Sequence, residues 1–454
     1  MFRAIGAQIA LATLVISVAG AAVGRAAPVR APIELVPSGH SGWQVNGTTG
    51  GNVCTVSSKD ECRPGESSSE AGGFSYLNSV TVDPRTGNVY VADSANNRVQ
   101  ELTATGAFVA MFGWDVNETK TRQATSSQAE ENVCTGASGD MCTAGVQGTA
   151  AGQLAYPAGV AVAPTTGDVY VLEISSNDFR VDKFTAGGRF VWTIGREVNT
   201  RTRGSICTER EVEQAHVRCK AGVENSTQSI EPGAFKYAQA DGNLLAVGGP
   251  GELLYVGDEH RVQEFDAEGR WKGEILLASL SPKPQSVVSA LALDKRGDLY
   301  LVYHVAGTED GVQQRFGVIR EFNPAGEQVA AFPVNPSQPN ATISIVGLAI
   351  DSSDHLAVVG GETGGRSFTR IGLLYDARTG RPLTSFPLPT DNDGIAFNGD
   401  GDLYIAATDD QEVVAYAPRP MAALLQTLVA CEIGIANDPS IAFNCALEDE
   451  VSLS

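Results

Sequence analysis

Hydrophobic and polar residues alternate along this chain in short bursts that return in the same order. Val80, Thr81 and Val82 lead into Asp83, Pro84, Arg85, Thr86, Gly87 and Asn88, and then into Val89, Tyr90, Val91 and Ala92. Eighty residues later Val160, Ala161 and Val162 pass through Pro164 and Gly167 into Val169, Tyr170 and Val171. Period-two alternation bounded by Pro, Gly, Asp and Asn is the pattern of two strands joined by a tight turn. Looser copies begin near 244, 290, 347 and 394. A second phrase follows the hairpin: Arg98-Val99-Gln100-Glu101-Leu102, then Arg180-Val181-Asp182-Lys183-Phe184, then Arg261-Val262-Gln263-Glu264-Phe265. This is a third strand, and an apolar stretch beyond a further Gly turn is a fourth.

A single four-stranded unit cannot bury its own apolar faces, so the copies must stack on one another. Six starts of the first strand predict an all-β, six-bladed β-propeller over residues 27–418. The sixth unit has only three strands before Pro418, Arg419 and Pro420. The open edge this leaves would invite pairing with other chains. A strand from within 33–45 is therefore expected to close the ring.

The order Gly73-Phe74, Val80, Asp83, Gly87-Asn88-Val89-Tyr90-Val91-Ala92-Asp93 and Asn96-Asn97-Arg98-Val99-Gln100 resembles the NHL repeat. The chain looks like an NHL-repeat β-propeller (NHL/TolB-like, of the secreted bacterial type) over about residues 33–418, matching best in the first copy. The resemblance implies several activities. Some six-bladed propellers of this type are lyases with a metal on channel histidines, but no repeated channel histidine occurs here. Lactonase-like propellers hold a divalent ion with Glu, Asn and Asp. Asp93 and Asp258 fall at equivalent strand ends, where the fourth copy has Tyr303. NHL propellers also end some ubiquitin ligases, whose RING and B-box cysteines are absent from this sequence.

Composition adds a compartment. Arg3, an apolar run over 5–23 and small residues at 24–27 follow the order of a secretory signal, with residues 1–26 removed. The run is also long enough to span a bilayer, so an uncleaved anchor is the alternative. The eight cysteines fit export. They form four local pairs, Cys54 with Cys62, Cys134 with Cys142, Cys207 with Cys219 and Cys431 with Cys445, 8 to 14 positions apart. Cys54 and Cys134 each precede the next first strand by 26 residues, so the cysteine loop belongs to the repeat. Chain alternation puts these loops on the face that carries the turns between second and third strands. Residues 419–454 read as a short tail, the truncated start of a β-sandwich module. A net charge of −21 argues against a nucleic-acid partner.

Converging catalytic groups are scarce. The five histidines are scattered, no nucleophile elbow or phosphate loop is present, and Asn398 to Asp402 reads as turn chemistry rather than a calcium loop. No cofactor or metal is expected. Four N-x-[ST] sequons, at Asn46, Asn117, Asn225 and Asn340, point to exposed loops. The expected protein is a monomeric, exported, non-catalytic scaffold for a protein, peptide or glycan at the cell surface. Its candidate contacts are Asn96, Asn97, Arg98, Arg180, Asp258, His260 and Arg261. A metal-dependent hydrolase or lyase in the central channel, and a structural unit of a larger surface protein, are the alternatives.

Overall fold

The computed structural model describes residues 33–420, apart from 176–177, 216, 225–230, 237–243, 259–260, 277–285, 306–307, 310–311, 314–316, 335–341, 365–366 and 390–393. The signal segment, the tail with Cys431 and Cys445, His216, His260, Asn225 and Asn340 lie outside the described residues.

Blade 1 is built from Leu77–Val82, Val89–Asp93, Arg98–Leu102 and Phe108–Phe112, each antiparallel to the next. Blade 2 repeats it with Pro157–Val162, Val169–Ser175, Asp178–Phe184 and Phe190–Gly195. Three more four-stranded sheets follow, and the sixth begins with Ile395–Phe397, Leu403–Ala407 and Glu412–Pro420. The described residues thus form a six-bladed β-propeller. The opening turn recurs because its chemistry does: Asp83 N–H donates to the Asn88 carbonyl and Gly87 N–H to the Asp83 carbonyl. Gly87 and Gly167 sit at φ 75° and 77°, where a Cβ would be strained.

Ile33–Gly42 closes the ring. It pairs antiparallel with Glu412–Pro420, from Ile33 opposite Pro420 to Gly42 opposite Glu412. The prolines do not end the strand as their sequence suggests, since Pro418 lies opposite Leu35. The inner neighbour pairs only as far as Tyr416, so no inner partner waits on the missing N–H groups. Leu35 is fully buried among Leu374, Phe386, Ile395, Leu403 and Val414, which joins the first residues of the fold to its last blades.

Each cysteine loop begins with a strand that the sequence reading did not separate from the loop. Val53–Thr55, Val133–Thr135 and Ile206–Thr208 add to the outer edges of blades 6, 1 and 2, making those sheets five-stranded. The cores lie in the seams between blades. Val80, Val91 and Leu102 pack on Tyr404, Ala406 and Val413 in one, and Tyr90, Val99 and Phe112 on Val160, Val171 and Phe184 in the next. Alternate side chains of one strand serve two seams, so neither face of a blade stays wet.

Candidate functional site

The recurring third-strand arginine lies inside the wall rather than on its rim. Arg98 is fully buried, and its Nε donates to Asp93 Oδ2 at 2.8 Å. Its two terminal nitrogens donate to the carbonyls of Ser69 (2.6 Å), Glu70 (3.0 Å), Gly73 (2.8 Å) and Thr143 (3.0 Å). One guanidinium thereby ties the segment leading into blade 1 to the loop leaving it. Arg180 holds Thr149 and Gln153 in the same way, and Arg261 holds Glu231 and Ala234. Asp258 answers Arg261 Nε at 3.0 Å as Asp93 answers Arg98. Asn96 is buried too, donating to Asp93 and to the Ser68 carbonyl. Asn97 is half-exposed at φ 49°, and its side-chain oxygen accepts from the Tyr156 N–H of the next blade. Of the sequence candidates in the described residues, only Asn97 reaches the surface of this face.

Sequence reasoning missed the residue two places after each arginine. Gln100 donates to Asp93 and the Gly73 carbonyl and accepts from Gly72 N–H. Gln263 repeats this with Asp258, Ala234 and Gly233. Blade 2 has Asp182 in that place, with Glu173 and Asp178 on the same guanidinium at 2.9 Å and 3.5 Å. Three carboxyls thus surround one arginine, and all four groups are buried. Burial raises all three carboxyls: Glu173 well above its ordinary range, Asp182 upward, and Asp178 to about 6. Asp182 Oδ2 also lies 3.2 Å from the guanidinium, while Asp182 Oδ1 has no hydrogen-bond partner among the described residues.

The cysteine loops share a second unforeseen centre. The bridges Cys54–Cys62, Cys134–Cys142 and Cys207–Cys219 are formed as their spacing predicts. Ahead of each stands a buried asparagine: Asn46, Asn117 and Asn199. The Asn46 amide donates to the Val53 carbonyl (3.3 Å) and Asp60 Oδ2 (2.8 Å) while its oxygen accepts from Thr48 and Thr49 N–H. Asn117 bonds Val133 and Asp140 in the same manner, and Asn199 bonds Ile206 and Glu211. Hydrogen bonds from Ser58 and Asn46 hold the Asp60 carboxyl below its usual range, and Asn117 does so for Asp140. The exposed-loop reading of two sequons is thereby corrected, because Asn46 and Asn117 are interior braces. The signal was in the sequence: Gly42, Val45 and Asn46 recur as Gly113, Val116 and Asn117, and as Gly195, Val198 and Asn199.

The loops fold back onto the turns between second and third strands. Gly65 N–H donates to the Asp410 carbonyl, Gly145 N–H to the Asn96 carbonyl, and Gly222 N–H to Asp178 Oδ1. Three bridged loops therefore occupy consecutive sectors of one face, over blades 6, 1 and 2. On that face His40 Nδ1 lies 3.0 Å from Glu412 Oε1, whose carboxyl burial raises. His355 pairs with Asp351 at 2.7 Å in a turn on the opposite face. The Asn398 side-chain oxygen accepts from Asp400 and Asp402 N–H, a closed turn.

Residues 74–102 match the NHL repeat. No curated protein matches the chain in sequence. Among solved structures it is similar to the hydrazine synthase of Kuenenia stuttgartiensis at 12% identity and TM-score 0.43, over 75% of this chain and 76% of that one. A gluconolactonase from Xanthomonas campestris is similar at 12% identity and TM-score 0.40, over 77% and 89%. The PQQ-bound aldose sugar dehydrogenase from Streptomyces coelicolor is similar at 15% identity and TM-score 0.39, over 77% and 96%.

Proposed function

We propose that this propeller, which carries an NHL repeat, is an exported, non-catalytic scaffold whose loop-bearing face binds a protein, peptide or glycan at the cell surface. The observation that supports it is the bracing of three consecutive loops by a disulfide, a buried asparagine and, beneath them, a buried arginine. Loops fixed before the partner arrives lose less entropy on binding. Three disulfides also favour an oxidising compartment over the cytosol. The test is capture of partners from envelope and secreted fractions by the wild type and by a folded variant lacking residues 114–151. A partner retained only by the wild type supports the reading. No loop-dependent partner counts against it, and stoichiometric zinc or calcium in the purified protein would overturn it in favour of a channel hydrolase or lyase.

A further inference from the structure

The three cysteine loops are copies of one module, but two have grown, and in different places. From the bracing asparagine to the first cysteine is 8 residues in the first copy (Asn46 to Cys54), 17 in the second (Asn117 to Cys134) and 8 in the third (Asn199 to Cys207). Between cysteines the separations are 8, 8 and 12. The second copy is thus longer before its disulfide, where the helical turn Gln128–Glu131 lies. The third is longer inside its disulfide, where the helix Glu209–Ala215 lies. Both additions wall the same cavity of about 240 Å³, outside the seam between blades 1 and 2.

That cavity has an aromatic side and a polar margin. Trp114 and Phe190 line it, and Gly152 and Gly188 line it with no side chains at all. A Cβ on Gly152 would meet the Phe190 Cβ at 3.2 Å, so glycine leaves room for that side chain's stem. Gln128 and Asn132 come from one loop, and Arg189, Glu209 and Glu213 from blade 2 and the other loop. Gln128 Nε2 donates to Asn132 Oδ1 (2.8 Å) and to Asp115 Oδ1 (2.7 Å). This orders both amides and leaves the Gln128 oxygen, the Asn132 NH2 and the Trp114 indole N–H without partners among the described residues. The one guanidinium is already engaged, Arg189 lying 3.5 Å from Glu209.

We propose that this cavity binds one ring of a neutral saccharide. A pyranose presents an apolar C–H face to an indole or phenyl ring and hydroxyls that both donate and accept at its edge, which is the pairing offered here. Two carboxylates against one engaged arginine disfavour phosphate or carboxylate ligands. The volume is below the roughly 300–1,000 Å³ of sites for drug-sized ligands, which suits a terminal ring rather than the interior of a chain. The proposal rests on the scaffold reading and supplies its ligand class.

The test is calorimetric titration of the purified full-length chain with neutral hexoses, N-acetylhexosamines and their short oligomers. Saturable binding is expected. Trp114→Ala should weaken it about tenfold or more. The double variant Gln128→Ala/Glu213→Ala, altered only at exposed side chains, should weaken it without lowering the melting temperature. Trp43→Ala, at the equivalent position of the ungrown first copy, should leave affinity unchanged. No binding at tens of millimolar sugar, or binding indifferent to Trp114 and the double variant, would overturn the proposal. A loop-dependent protein partner with no sugar binding would sink this inference alone, whereas loss of both would also remove the scaffold reading.

Discussion

Asp182 stands where blades 1 and 3 have Gln100 and Gln263, and restoring the amide by Asp182→Gln should stabilise the protein at neutral pH. In those blades the glutamine satisfies the strand-end acid and a backbone carbonyl together. In blade 2 Asp182 is a third buried carboxyl on Arg180, its Oδ2 lying 3.2 Å from the guanidinium, while its Oδ1 is left without a hydrogen bond among the described residues. Leaving a buried polar group unsatisfied costs about 1–3 kcal/mol. Burial also raises Asp178, to about 6, and the neighbouring Asp182 charge adds to this. Glu173 and Asp182 move in the same direction.

Folded carboxyls that titrate above their unfolded values bind protons the unfolded chain has released. Their contribution is fully present below about pH 4 and is lost as pH rises through the folded values, so wild-type stability should fall from about pH 4 to beyond pH 6. Asp182→Gln should gain about 1–3 kcal/mol at pH 7.5, with a gain that shrinks toward pH 4. Urea unfolding of both proteins at pH 4.5, 6 and 7.5 measures this. A variant less stable at pH 7.5, or a difference independent of pH, would refute the reasoning.

Leu35→Ala should cost about 2–5 kcal/mol, because the side chain is fully buried in the seam between the last two blades. Deleting residues 27–48 should lower the melting temperature further, and an unchanged melting curve would mean that the N-terminal strand does not close the propeller. Folded protein secreted by a glycosylating host should carry no glycan on Asn46 or Asn117, since a sugar attached before folding would deny both amides their buried hydrogen bonds; intact-peptide mass spectrometry showing glycans there in protein with an unchanged melting temperature would contradict the interior placement.

The periodicities of Val80–Val82 and its copies were enough to fix strand order, and the three-strand remnant before Pro418 was enough to require a closing strand from within 33–45, which the structure places at Ile33–Gly42. Both follow from local rules, alternation and unpaired edges, that one sequence carries openly. The spacing of Cys54–Cys62, Cys134–Cys142 and Cys207–Cys219 likewise chose the bridges. The fate of Arg98, Arg180 and Arg261 was not legible in that way. Their partners are main-chain carbonyls some 25 to 45 residues away, which have no side-chain identity to read. For the same reason an asparagine that braces a loop and one that carries a sugar share the same three-letter sequon.

Alternation, turn residues and cysteine spacing therefore determined the propeller, its closure and its bridges. Tertiary structure alone decided which polar groups are hidden and where two differently lengthened loops meet. Burial and convergence depend on segments far apart in the chain, and local pattern holds no record of that distance.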